Sequence, residues 1–107
     1  MSIDEISTAE LAELLAVGAR LIDVRETDEY VAGHVPGAVH VALGTVPQHV
    51  DAFRGDGPAY VICRSGARSM RACEYLAQEG VVAVNIAGGT LDWVAGGRPV
   101  VTGANPT

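Results

Sequence analysis

The residues best suited to chemistry stand together in Cys63-Arg64-Ser65-Gly66-Ala67-Arg68-Ser69, a polar loop with two arginines and a glycine that begins at a cysteine. The run before it, Ala59-Tyr60-Val61-Ile62, is β-branched and aromatic and predicts a strand; the apolar spacing from Ser69 to Gln78 predicts a helix. Cys63 is therefore expected in a tight strand-to-helix turn. There the backbone N–H groups of the loop can point at the sulfur, the helix presents its positive end near Ser69, and Arg64 and Arg68 add cations. Each effect favours thiolate over thiol, and cysteines in such surroundings fall from a pKa of about 8.5 to about 3.5–7.5. The same donors would cradle an anionic group, and Gly66, lacking a Cβ, lets the backbone come close to it. A buried structural cysteine under an exposed turn uses the same residue types, but the strand, loop and helix context favours a reactive one. Cys63 is thus the candidate catalytic residue, with Arg64, Ser65, Gly66, Ala67, Arg68 and Ser69 as candidate substrate-binding residues.

Other chemistry-bearing side chains have structural expectations. Cys73 lies across the loop and more than a helical turn from Cys63, beyond disulfide reach, and is expected as a small buried apolar residue. His34 could serve as a base beside a cysteine, but within Gly33-His34-Val35-Pro36-Gly37 its ring is expected to hydrogen-bond loop backbone. His40 and His49 have no metal-ligand spacing and are assigned no chemistry. Asp23 and Arg25, at the polar exit of the run from Arg20 to Val24, are expected to pair locally and position a loop rather than touch substrate. Arg68 is expected to tie the loop to a carboxylate, such as Asp23 or Asp92.

The elements needed to hold this loop follow from periodicity. Ser7-Thr8-Ala9-Glu10 fits a capping box and Ile6 with Leu11 a hydrophobic staple, opening a helix that ends at Gly18. A strand through Leu21 and Ile22, a short acidic helix from Glu26, a turn at Pro36-Gly37 and a short strand at 38–42 come next. Val46 to Phe53 is expected as an amphipathic helix. Val81 to Ile86 is expected as a buried strand, and Gly88-Gly89 as a close backbone approach before a helix capped by Thr90 and carrying a buried Trp93. Strands alternating with helices predict an α/β fold, a mainly parallel sheet with helices on both faces. At 107 residues there is room for one domain, with its core at about 3–99 and a C-terminal tail at 100–107.

A net charge of −6 argues against nucleic acid or anionic membrane as partner, so any anion binding must be local. Neither a secretory signal nor a membrane-length apolar run is found, and cytoplasm is the expected location.

With these residues in place, the chain resembles the single-domain rhodanese-like sulfurtransferases. The resemblance rests on Leu21-Ile22-Asp23-Val24-Arg25, Gly33-His34-Val35-Pro36-Gly37-Ala38-Val39-His40, the loop from Cys63 to Ser69, and Gly88-Gly89-Thr90-Leu91-Asp92-Trp93, in that order. It implies a five-stranded sheet and transfer of a sulfane sulfur through a Cys63 persulfide, from a small anionic donor such as thiosulfate to cyanide, a thiol or a protein acceptor. It implies no metal or organic cofactor. A dedicated persulfide carrier or sulfur-sensing module would use the same cysteine. Cysteine phosphatases and arsenate reductases resemble it less, because they place five residues between cysteine and arginine, whereas four separate Cys63 from Arg68.

Overall fold

The computed structural model describes residues 2–107. Its five strands are β1 (Glu5–Ile6), β2 (Arg20–Asp23), β3 (Val39–His40), β4 (Ala59–Ile62) and β5 (Ala83–Ile86), ordered β1-β5-β4-β2-β3. Every pairing is parallel, as the alternation of strands with helices predicts. The helices are α1 (Thr8–Ala16), α2 (Thr27–Ala32), α3 (Ala67–Gln78) and α4 (Gly89–Ala95).

Strand side chains alternate between faces, and here both faces are buried. Leu21 and Ile62 point to one side, where they join Leu11 of α1, Tyr30 of α2 and Trp93 of α4. Ile22 and Val61 point to the other, with Cys73 and Leu76 of α3 and with Val46 and Phe53. Two cores therefore clamp β4 from either side, and its register places Ile62 opposite Asp23. Cys63 follows one residue later, at the carboxyl edge of a central strand, where open parallel sheets build their sites.

The capping box at α1 forms as expected: the Ser7 hydroxyl accepts from the Glu10 N–H at 3.1 Å, and Glu10 accepts from the Ser7 N–H at 3.2 Å. Three local expectations are corrected. The segment from Val46 to Phe53 is not one α-helix but parts of two 3-10 stretches, Leu43–Gln48 and Val50–Phe53. Pro47, inside the first, has no N–H for an α-helical bond, while Val46 and Phe53 are still buried on the side the periodicity assigned. Helix α3 begins at Ala67, two residues before Ser69, with Gly66 as its cap. Helix α4 is capped by Gly88 in the left-handed region, and the Thr90 hydroxyl goes elsewhere. The edge strand β1 was not anticipated, since two residues carry no alternation; it exists because Glu5 and Ile6 line up with Asn85 and Ile86.

Apart from Arg20 Nε, which is buried without a partner among the described residues, buried side-chain polar groups are paired. Arg25 lies against Asp23 through Nη2 to Oδ2 at 2.8 Å and Nε to Oδ1 at 3.0 Å, with both side chains buried, and Arg25 Nη2 also donates to the Gly33 carbonyl at 2.8 Å. The pair joins the exit of β2 to the end of α2, in line with the structural role expected of it. The His34 ring is buried within 2.8 Å of the Tyr30 carbonyl and 2.9 Å of the Asn105 carbonyl, and it stacks on Tyr30. Its backbone exchanges bonds with Val101, so residues of the tail fold back onto this turn. Among the described residues, no helix is long and apolar enough to cross a membrane.

Removing one partner of the buried pair leaves the other charged and uncompensated. Asp23→Ala should therefore destabilise the protein by about 3–5 kcal/mol in urea unfolding. A loss within experimental error would show that Arg25 is held by the Gly33 carbonyl alone.

Candidate active site

The loop after β4 is shaped from below by α4. The Thr90 N–H and hydroxyl both donate to the Cys63 carbonyl, at 2.9 and 3.0 Å, and the Leu91 N–H donates to the Arg64 carbonyl at 3.0 Å. With two successive carbonyls turned towards α4, the N–H groups that follow are free to face the sulfur. This grip requires Gly89, where a Cβ would stand 2.5 Å from the Cys63 carbonyl oxygen and 2.6 Å from that of Arg64. At Gly66 the backbone turns through φ +110°, a conformation that disfavours any side chain, and α3 starts immediately afterwards.

Cys63 is 1 % exposed. Its Sγ accepts from the Gly66 N–H at 3.1 Å and from the Ser69 hydroxyl at 3.2 Å. Burial is the largest influence on the thiol and pushes its pKa up, but the Ser69 hydroxyl and the N–H groups of Ser69, Gly66 and Ser65 together outweigh it, and the net shift is downward. The direction matches the sequence expectation, and of the three sources expected, loop and helix-start N–H groups act as foreseen, joined by the Ser69 hydroxyl, while the arginines are not among the leading causes. None of the three histidines hydrogen-bonds to the sulfur; His40 lies 2.6 Å from the Arg25 carbonyl and His49 2.9 Å from that of Thr45. Cys73 is fully buried in the core and its thiol is pushed up to about 12 by burial; both cysteines are free.

Arg68 braces the loop, and its partner is Glu29 of α2 rather than Asp23 or Asp92. The contact is bidentate, Nη1 to Oε1 at 2.7 Å and Nη2 to Oε2 at 2.9 Å, and it holds the Glu29 carboxyl down to about 2. Asp23 is taken by Arg25. Asp92 sits under Gly88, where any Cβ would collide with its carboxylate. Arg64, by contrast, is exposed and has no ion pair among the described residues. It borders a cleft of about 450 Å³ beside the loop, with Glu29, Ala32, Leu91 and Val94 among the other walls. Ser65 and Ala67 are exposed, while Gly66 and Ser69 are buried. The seven candidate residues thus divide: Cys63, Gly66 and Ser69 meet at the sulfur, Arg64 looks outward, and Arg68 is turned to α2.

Four residues of this constellation escaped sequence reasoning as contributors to the site: Glu29, Asn85, Thr90 and the exposed Leu91. Asn85 carried a usable signal, being the polar residue in the apolar run Val84-Asn85-Ile86. The others act through contacts that only the fold creates.

The chain matches the family described as "Rhodanese-like domain" over residues 7–96. It is 42% identical to YtwF of Bacillus subtilis (strain 168), over 92% of this chain and 98% of that one. It is 35% identical to the thiosulfate sulfurtransferase GlpE of Pseudomonas entomophila (strain L48), over 82% of each. A crystal structure of a rhodanese-related protein from Thermoplasma volcanium is 31% identical and superposes with a TM-score of 0.85, over 92% of this chain and 97% of that one. The matched span takes in the thiol loop, the glycine turn under it and both cores, and the chain belongs to the rhodanese-like domain family.

Proposed function

We propose that this protein is a cytoplasmic sulfurtransferase that takes a sulfane sulfur from a small anionic donor such as thiosulfate, carries it as a Cys63 persulfide, and hands it to cyanide or a thiol. The observation that carries this reading is the sulfur itself: a buried Cys63 Sγ within hydrogen-bond distance of the Gly66 N–H and the Ser69 hydroxyl. A relative named as a thiosulfate sulfurtransferase supports the choice of donor.

The Cys63 thiolate attacks the outer sulfur of thiosulfate. A sulfur–sulfur bond forms to Cys63 while the original one breaks, and sulfite leaves with the electron pair. The persulfide's terminal sulfur bears the negative charge, which the loop N–H groups stabilise as they would an oxyanion. Arg64, free of internal partners at the cleft, draws in the donor dianion. Attack by cyanide or a thiolate on the terminal sulfur then returns Cys63 as thiolate, so the cycle consumes no external oxidant or reductant.

Incubation with thiosulfate should add about 32 Da, one sulfur atom, to Cys63 alone, read by intact and peptide mass spectrometry. Cys73→Ser should load as well as the parent protein; loss of loading with the fold intact would move the reaction away from Cys63.

Alkylation by iodoacetamide tests the thiolate. Because the thiol pKa is lowered, the anion is the form present down to a lower pH than for an ordinary cysteine, and the rate should stay high as pH falls from about 8.5 to 7. A midpoint at or above about 8.5 would refute an activated thiolate.

The two arginines should behave differently. Arg64→Ala should lower kcat/KM for thiosulfate by about ten-fold or more with stability unchanged, as loss of a charged contact made only to the donor. Arg68→Ala should cost about 1–2 kcal/mol of stability by freeing Glu29, with the alkylation midpoint little moved. The reverse pattern would exchange their roles.

A further inference from the structure

Behind the sulfur lies a polar side chain that the reaction above does not use. Asn85 is 1 % exposed, in the middle of β5. Its Nδ2 donates to Glu5 Oε2 at 2.8 Å and to the Gly66 carbonyl at 3.1 Å. Both partners only accept, so the amide cannot be turned over without losing both bonds, and Oδ1 is held facing Ser69. The Ser69 hydroxyl is then within reach of three acceptors: Asn85 Oδ1, the Cys63 sulfur and the Gly66 carbonyl. A hydroxyl has one proton.

We propose that Asn85 is a positioning residue for Cys63, whose side-chain oxygen competes with the sulfur for the single proton of the Ser69 hydroxyl. While Cys63 is a neutral thiol, its S–H can donate to Ser69 Oγ and the hydroxyl can donate to Asn85, so every group is satisfied. When the thiolate forms, the Ser69 proton turns to the sulfur. Asn85 Oδ1 is left buried with no other donor among the described residues, an arrangement that opposes ionisation. The pairing thus keeps the Ser69 side chain beside the sulfur and, by competing for its proton, tempers how readily the sulfur becomes an anion before a donor arrives. The proposal rests on Cys63 acting as a thiolate.

The charged and titratable groups around this cluster come from every neighbouring element. Glu5 of β1 touches Asn85 directly. Arg68 of α3 is neutralised by Glu29 of α2. Cys73 of α3 is held as a thiol by burial, Arg64 points to solvent, and Asp92 of α4 lies under Gly88. None of these neighbours bonds to the Ser69 side chain, whose partners are Asn85 Oδ1, the Cys63 sulfur and the Gly66 carbonyl.

The test is a double-mutant cycle read by iodoacetamide alkylation near pH 6, where the thiolate fraction limits the rate. Asn85→Leu should raise that rate by about three- to ten-fold, whereas in a Ser69→Ala background the same substitution should change it by less than about two-fold. No rise in Asn85→Leu, or an equal rise in both backgrounds, overturns the proposal. A second measurement needs no variant of Asn85. The ¹³C resonance of its side-chain carbonyl should titrate with the Cys63 midpoint in the unaltered protein and stay flat in Ser69→Ala; a flat carbonyl in the unaltered protein overturns the proposal equally. Sulfur loading from thiosulfate, measured on the same samples, separates the two failures. Loading without coupling removes Asn85 alone, while absence of loading removes the sulfurtransferase reading on which it stands.

Discussion

The site depends on the grip of α4 on two backbone carbonyls. Thr90 and Leu91 draw the Cys63 and Arg64 carbonyls downward, and a peptide unit whose oxygen points one way must point its N–H the other. The grip therefore turns the N–H groups of Arg64 and Ser65 away from α4, and the next one, that of Gly66, reaches the sulfur at 3.1 Å. The glycines at 88 and 89 are needed twice over, because both sit at positive φ, +79° and +57°, and because any side chain there would occupy the space of the Asp92 carboxylate or the loop carbonyls. Trp93, buried on the same helix, anchors α4 to the core under Leu21 and Ile62 and so keeps the grip in place.

Burial and hydrogen bonding oppose each other at Cys63. Enclosing the sulfur penalises its anion, and in a purely apolar environment that penalty wins, as it does ten residues along the chain at Cys73. The two thiols share a core cluster and one helix connects them, yet they shift in opposite directions. The difference is the set of donors: Gly66 N–H and the Ser69 hydroxyl reach one sulfur and no comparable donor reaches the other. Enclosure then becomes useful, since donors already aimed at a dry site need no rearrangement when charge develops there.

Two ion pairs keep these donors in register. Asp23 with Arg25 fixes the exit of β2 to the turn after α2, and Glu29 with Arg68 ties α2 to the first turn of α3. Both use α2 or its end, which makes this six-residue helix the strut between the sheet edge and the thiol loop. The consequence for charge is that three of the arginines nearest the site contribute only one free cation, Arg64. In a protein of net charge −6, that cation beside the cleft is a local point of attraction for an anion.

What the sequence by itself determined is what local chemistry and periodicity dictate: the α/β alternation, the strand ending at Cys63, the glycine-containing loop, the burial of Cys73, and a backbone-bonding role for His34. These follow from the order of residue types along a few turns or strand lengths. The tertiary structure alone decided which long-range partners meet. It chose Glu29 for Arg68, although Asp23 and Asp92 were equally charged candidates, because Asp23 was already enclosed with Arg25. It added β1, for which two residues hold no periodic signal, and through it brought Glu5 beside Asn85. It broke the expected helix at Val46 to Phe53 into 3-10 stretches that still bury the same face. It also placed a hydroxyl sixteen residues from Asn85 against both that amide and the sulfur. Spacing along the chain cannot specify such a meeting, because it is set by how a strand and a helix from different parts of the chain pack on the same sheet.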